Sequence, residues 1–151
     1  MSQRKHALEL VAKCGLLGWR PTDFPIETNH KLTLSDGKFL VDPMQYRRLV
    51  GKLIYLTITC PKLCYVAHIL AQFMQASHKE HMEAARRVLK YLKRCPGWGL
   101  LLRHDCDMQL YAFCDLDWGA CPLTRRSLTG YFITLGGSPI SWKTKKKTTV
   151  S

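Results

Sequence analysis

Residues 77–103, SHKEHMEAARRVLKYLKRCPGWGLLLR, contain the change of pattern on which the fold turns. Up to Arg94, Met82, Ala85, Leu89 and Leu92 recur at three- and four-residue steps, the period of one helix face. Ser77, with Glu80 three residues on, has the form of a capping box, so a helix is expected to start there. Pro96-Gly97 ends it, because proline cannot extend a helix and glycine favours a turn. Beyond this break the period shortens. Gly99–Arg103, Gln109–Asp115, Leu128–Leu135, Ser138–Lys143 and the end of the chain read as short strands separated by turns.

Upstream the pattern is helical. Ser2 is placed to cap a helix over 3–14, with Leu8, Val11 and Ala12 on one face and Gly15 as its stop. Residues 16–42 hold Pro21, Pro25, Asn29, Ser35, Asp36 and Gly37 without sustained periodicity and read as a long connection. Asp42-Pro43 opens a second helix, with aspartate at the cap and proline at the first helical position. Tyr46, Leu49, Val50, Leu53 and Ile54 form its apolar stripe, and Arg47, Arg48 and Lys52 fall off it. Pro61 begins a third, with Leu63, Val66, Ala67 and Leu70 on one face. Helices followed by antiparallel strands make an α+β protein, divided at about residue 98.

The chain has 151 residues, enough for one domain or two small lobes, and 46% of them are hydrophobic, which excludes wholesale disorder. No apolar run has the ~18–20 residues needed to span a bilayer. The N-terminus has no secretory or transit pattern, so an intracellular protein with no membrane partner is expected. The formal charge of +12 is spread along the chain: +4 over residues 1–58, +5 over 59–98 and +3 over 99–151. A basic body of this kind suggests a polyanionic partner, most often nucleic acid. Seven cysteines without CxxC spacing or a secretion signal read as reduced thiols.

Arg86, Lys90, Lys93 and Arg94 fall at i, i+4, i+7 and i+8, opposite the apolar stripe, with Arg87 beside them. A cationic row on a helix can follow a phosphate backbone, with binding that weakens steeply in salt; the alternative is a solvated helix face. Lys143, Lys145, Lys146 and Lys147 beside Trp142 form a second basic patch with the same two readings. Asp105 and Asp107 fall in a turn, and Asp115 and Asp117 at the end of an apolar strand, where a rigid backbone can fix oxygen ligands for a divalent cation or simply begin a hairpin. Cys60, Cys64 and His68, and the pair His78 and His81, are poor metal sites by spacing.

Four segments together resemble one family. SQRKHALELVAKCGLLGWRPTDFPIE (2–27), DPMQYRRLVGKLIYLTIT (42–59), FMQASHKEHMEAARRVLKYLKRCPGWGL (73–100) and YAFCDLDWGACPLTRRSLTGYFITLGGSPISWKTKKKTTVS (111–151) are similar to the Pol polyprotein of copia-type long-terminal-repeat retrotransposons. The resemblance implies thumb and connection helices of a reverse transcriptase over 1–98. Over 99–151 it implies a truncated, RNase H-like β-meander. Asp115, in YAFCDLDW, would correspond to the first metal-binding carboxylate of RNase H, whose intact site uses Mg2+. Asp117 carries no implied metal role. Cys60 and Lys62 depart from the family, which usually has Arg and Asp after the Thr-Ile-Thr run.

The Tyr-x-Asp-Asp turn of the family's polymerase site has no counterpart, since the chain contains no Asp-Asp pair. RNase H chemistry uses two metal ions clamped by several carboxylates. One of that set is recognised, and the next is expected beyond Ser151. The resemblance therefore implies a fragment that is catalytically inactive alone and binds no cofactor. It would retain at most sequence-independent binding to an RNA–DNA hybrid through Arg86, Arg87, Lys90, Lys93 and Arg94. One alternative is a metal-dependent ribonuclease completed by a second chain, which would need Asp115. Another is a co-opted non-enzymatic binding module, which would not. Residues 99–151 are expected to be marginally stable, with Tyr131, Ile133, Leu135 and Trp142 poorly buried on one face.

Overall fold

The computed structural model describes residues 1–27, 32, 38–117 and 127–146. The chain is α+β, with four α-helices and one three-stranded antiparallel sheet among the described residues. It divides into two compact units, Ser2–Gly99 and Leu100–Ser151, with Met1 belonging to the second.

The helical unit contains α1 (Arg4–Lys13), α2 (Pro43–Leu56), α3 (Cys64–Ala71), preceded by a 3-10 turn at Pro61–Leu63, and α4 (Lys79–Arg94). Its core is built from Tyr46, Leu53, Leu63, Leu70, Phe73 and Leu89, all fully buried. The apolar faces expected of α3 and α4 are the buried ones. On α1 the expectation of Leu8, Val11 and Ala12 is corrected to Ala7, Leu10 and Val11. The apolar residues of that helix cover a broad face, and packing against α4 selects which of them turn inward. On α2, Leu56 is buried while Ile54 is exposed.

Local signals explain the helix ends. Asp42 caps α2, its Oδ1 accepting from Met44 N–H at 3.0 Å and Gln45 N–H at 3.2 Å, with Pro43 following. Asp42→Ala is expected to cost about 1 kcal/mol, read as a lower denaturant midpoint; an unchanged midpoint would mean that Pro43 alone starts the helix. Gly15 ends the α1 region with φ of 68°, a conformation open to glycine. Two expected caps are corrected. Gln3, not a serine, occupies the cap of α1, and Ser2 instead bridges Gly99. On α4 the cap is His78, whose backbone N–H donates to His81 Nδ1 at 2.9 Å. Ser77 Oγ is buried and makes no hydrogen bond among the described residues. The histidine pair thus does the work of a capping box.

The second unit holds β1 (Leu110–Asp117), β2 (Leu128–Leu135) and β3 (Ser138–Lys146), in the order β1-β2-β3. Gly136 and Gly137, both at positive φ, form the two-residue turn between β2 and β3, as a twisted hairpin requires. The β2–β3 register shifts between Ile133 and Thr134, where Pro139 has no N–H to give the ladder. Gly99–Arg103 is not a strand. Leu100 instead exchanges hydrogen bonds with Met1, and residues 101–103 are irregular. The strand expected at the chain end lies partly outside the described residues. Tyr131 is exposed, and Ile133, Leu135 and Trp142 are half-buried. More apolar surface is exposed on β1, at Leu110, Tyr111 and Phe113.

Candidate nucleic-acid interface

The cationic row on α4 is positioned by the opposite face of the same helix. His81, Met82, Ala85, Val88, Leu89, Tyr91 and Leu92 are buried, which turns Arg86, Arg87, Lys90, Lys93 and Arg94 to the opposite side, where Arg94 is exposed and the other four are half-buried. Lys93 and Arg94 stand in the last turn, where positive charge is favoured by the helix dipole.

The structure brings these five residues together and gives each an internal partner. Arg86 pairs with Glu83 one turn back, at 3.0 Å. The other four meet residues 16–27, which Leu16 anchors in the core. Arg87 pairs with Glu27 at 2.8 Å, and Arg94 with Asp23. The Lys93 ammonium donates to the carbonyls of Leu17 and, at 2.7 Å, Trp19. Lys90 Nζ lies 4.1 Å from the centre of the Trp19 ring, a cation–π contact. Helical spacing gives the cations but not these partners, which are up to 76 residues distant. The legible trace is that Asp23 and Glu27 are two of the acids in the connection. All three ion pairs are solvent-exposed, and pairs of this kind contribute about 0–1 kcal/mol, so a phosphate can displace the carboxylate.

Asp115 lies on β1 opposite Gly130, with its side chain exposed. Asp105 and Asp107 belong to the irregular segment before β1, beside Gly136. The side chain of Asp117 and residues 118–126 and 147–151 lie outside the described residues. Among those described, no three His, Cys, Asp or Glu side chains converge as metal ligands. Cys60, Cys64 and His68 likewise form no metal site, and His81 is stacked on Phe73 at 3.9 Å inside the core. None of the six described cysteines is in a disulfide. In the second basic patch, Lys143 and Lys145 are exposed on β3, while Trp142 packs near Phe132 at 6.4 Å; the Lys146 side chain and Lys147 are outside the described set. No described helix is long and apolar enough to cross a membrane.

Comparison with curated proteins gives the lineage. The chain is 40% identical over 147 residues to the retrovirus-related Pol polyprotein from transposon RE2 of Arabidopsis thaliana, a match over 97% of this chain and 10% of that protein. It is 37% identical to the corresponding polyprotein from transposon RE1, over the same shares. An uncharacterized mitochondrial protein of Arabidopsis thaliana is 36% identical over the whole of this chain and 62% of its own length. The chain belongs to the copia-type retrotransposon Pol family. It spans about a tenth of the two Pol polyproteins it matches. No family model matches it, and no solved structure does. Within this Pol chain the α4 row and its acidic partners lie in the helical unit, and Asp115 lies in the other.

Proposed function

We propose that this Pol-family chain is a sequence-independent nucleic-acid-binding fragment that holds an RNA–DNA hybrid or duplex by its phosphates and does not cleave it. In this reading the helices are the thumb and connection of a reverse transcriptase, and the antiparallel strands are the opening of an RNase H-like domain. The observation that carries it is the outer face of α4. From Arg86 to Arg94, nine residues present five cations and no carboxylate, on a helix whose other face is fixed in the core. A rigid row of this kind can release condensed counterions from a nucleic acid without reading its bases. Displacement of Glu83, Glu27 and Asp23 by phosphates would accompany binding.

The test is anisotropy of a labelled RNA–DNA hybrid between about 50 and 200 mM salt, the range over which phosphate contacts weaken most visibly. Arg86→Glu/Lys90→Glu is expected to weaken binding and to reduce the slope of log K against log salt by about 1.8, the loss of two phosphate contacts. An unchanged slope would remove α4 from the interface. With magnesium present the hybrid is expected to stay intact, in wild type and in Asp115→Asn alike. Cleavage that needs both the metal and Asp115 would replace this reading with a ribonuclease.

A further inference from the structure

A second concentration of charge lies away from the outer row of α4. A cleft of about 310 Å3 opens between α1, α2 and α4, and four cations line it: Lys13, Arg48, Lys52 and Arg86. They come from three helices, so no run of sequence displays them. Arg48 and Lys52 are one turn apart on α2 and therefore share a face. Lys13 ends α1, and Arg86 lies in the second turn of α4.

The electrostatics of this cleft differ from those of the outer row. Among the described residues, neither Lys13, Arg48 nor Lys52 has a carboxylate within ion-pair distance; of the four, Arg86 alone does, in Glu83. The one acid in the lining is Asp42, whose Oδ1 is engaged by the N–H groups that start α2. Cys14, also in the lining, reports the local field. Burial pushes its thiol up, and the charges of Arg86 and Lys52 pull it part-way back. Several like charges held around one concavity repel one another unless an anion joins them, and low-dielectric walls focus their field on whatever enters. Guanidinium and ammonium groups converging from different directions suit a ligand with several oxygens on adjacent centres.

We infer that the cleft between α1, α2 and α4 is a phosphate-binding site in which Lys13, Arg48, Lys52 and Arg86 together hold a run of adjacent phosphates. The nucleic-acid reading above supplies the expected source, a backbone continuing past α4 into the cleft through Arg86; a free polyphosphate has the same chemistry. The inference rests on that reading only for the source.

The experiment compares the full-length wild type with Arg48→Glu/Lys52→Glu and with Arg4→Glu/Lys5→Glu, which changes net charge equally outside the cleft. The milder Arg48→Gln/Lys52→Gln stands in if charge reversal disturbs folding. Each protein is titrated with labelled hybrid, and separately its thermal midpoint is followed with inorganic tripolyphosphate, which raises the midpoint if it binds the folded state. Arg48→Glu/Lys52→Glu is expected to weaken hybrid binding about tenfold or more beyond the control pair, as lost charge-assisted hydrogen bonds would. It is also expected to abolish the midpoint shift. If both charge-reversed proteins behave alike in both titrations while wild type binds hybrid, the cleft proposal is overturned and the nucleic-acid reading stands. If wild type ignores hybrid but loses its tripolyphosphate shift only on mutation of Arg48 and Lys52, the site stands and the nucleic-acid reading falls. No response from wild type to either probe overturns both.

Discussion

Gly136→Ala is expected to destabilise the three-stranded unit by about 2–4 kcal/mol, the combined cost of a left-handed non-glycine residue and an overpacked contact. Gly136 has φ of 54°, and a Cβ there would lie 2.2 Å from Cys106 Sγ and 2.8 Å from the Asp107 carbonyl oxygen. The thiol can rotate away. The carbonyl belongs to the backbone and cannot move alone, because the same turn is tied by the Gly136 N–H donating to the Gln109 carbonyl at 2.9 Å. The substitution therefore presses on the segment that leads into β1 as well as on the β2–β3 turn. Gly137 provides the control within the same turn. Its φ of 72° carries the conformational cost, but nothing lies within 4 Å of its added Cβ. Gly137→Ala should cost only about 1–2 kcal/mol. Amide hydrogen exchange reads both: protection in β2 should fall much further for Gly136→Ala, with α4 unaffected. Equal losses for the two alanines would show that the contact with Cys106 and Asp107 relaxes without consequence.

Where the residues that decide a feature lie close together, the sequence made it legible. Asp42-Pro43 contains both the cap and the preset first residue of α2, and the helix begins there. The four-residue rhythm of α4 and the Pro96-Gly97 break are equally local. The start of α4 lies one residue beyond the expected cap at Ser77, because the cap is a histidine. Its backbone N–H is satisfied by an imidazole nitrogen, outside the Ser, Thr, Asp and Asn preference on which cap reading relies. The shortened period over Gly99–Arg103 reads as a strand. Leu100 finds its backbone partners at Met1, a pairing across the length of the chain that no local period can announce.

The candidate interface divides in the same way. Helical spacing shows that Arg86, Lys90, Lys93 and Arg94 share a face. It does not show that residues 16–27 return across that face to place Trp19 under Lys90 and Asp23 beside Arg94. In the sequence Arg48 and Lys52 are distinguished only by lying off the apolar stripe of α2. Their meeting with Lys13 and Arg86 depends on how three helices pack, which is tertiary information.

Raising the pH above about 10 is expected to destabilise the helical unit, and Tyr46→Phe to flatten that limb. Tyr46 is fully buried, and its hydroxyl donates to the Leu70 carbonyl at 2.7 Å. Burial holds its phenol well above the ordinary tyrosine value. In the unfolded chain the group loses its proton near pH 10, while in the folded chain it stays protonated. The folded state thus binds more protons than the unfolded state above that pH. Stability is intact below pH 10 and falls by about 1.4 kcal/mol per pH unit above it, until the folded group ionises too. Tyr91, also raised by burial, adds to the decline in both proteins and cancels in the comparison. At neutral pH Tyr46→Phe should cost about 1 kcal/mol, the net value of one hydrogen bond. The loss stays small because the Leu70 carbonyl keeps the Phe73 N–H at 3.1 Å. Urea melts of the two proteins should therefore differ by about 1 kcal/mol at pH 8 and cross within about one unit above pH 10. Parallel alkaline limbs would mean that Tyr46 ionises as readily folded as unfolded, which a phenol enclosed in this core should not do.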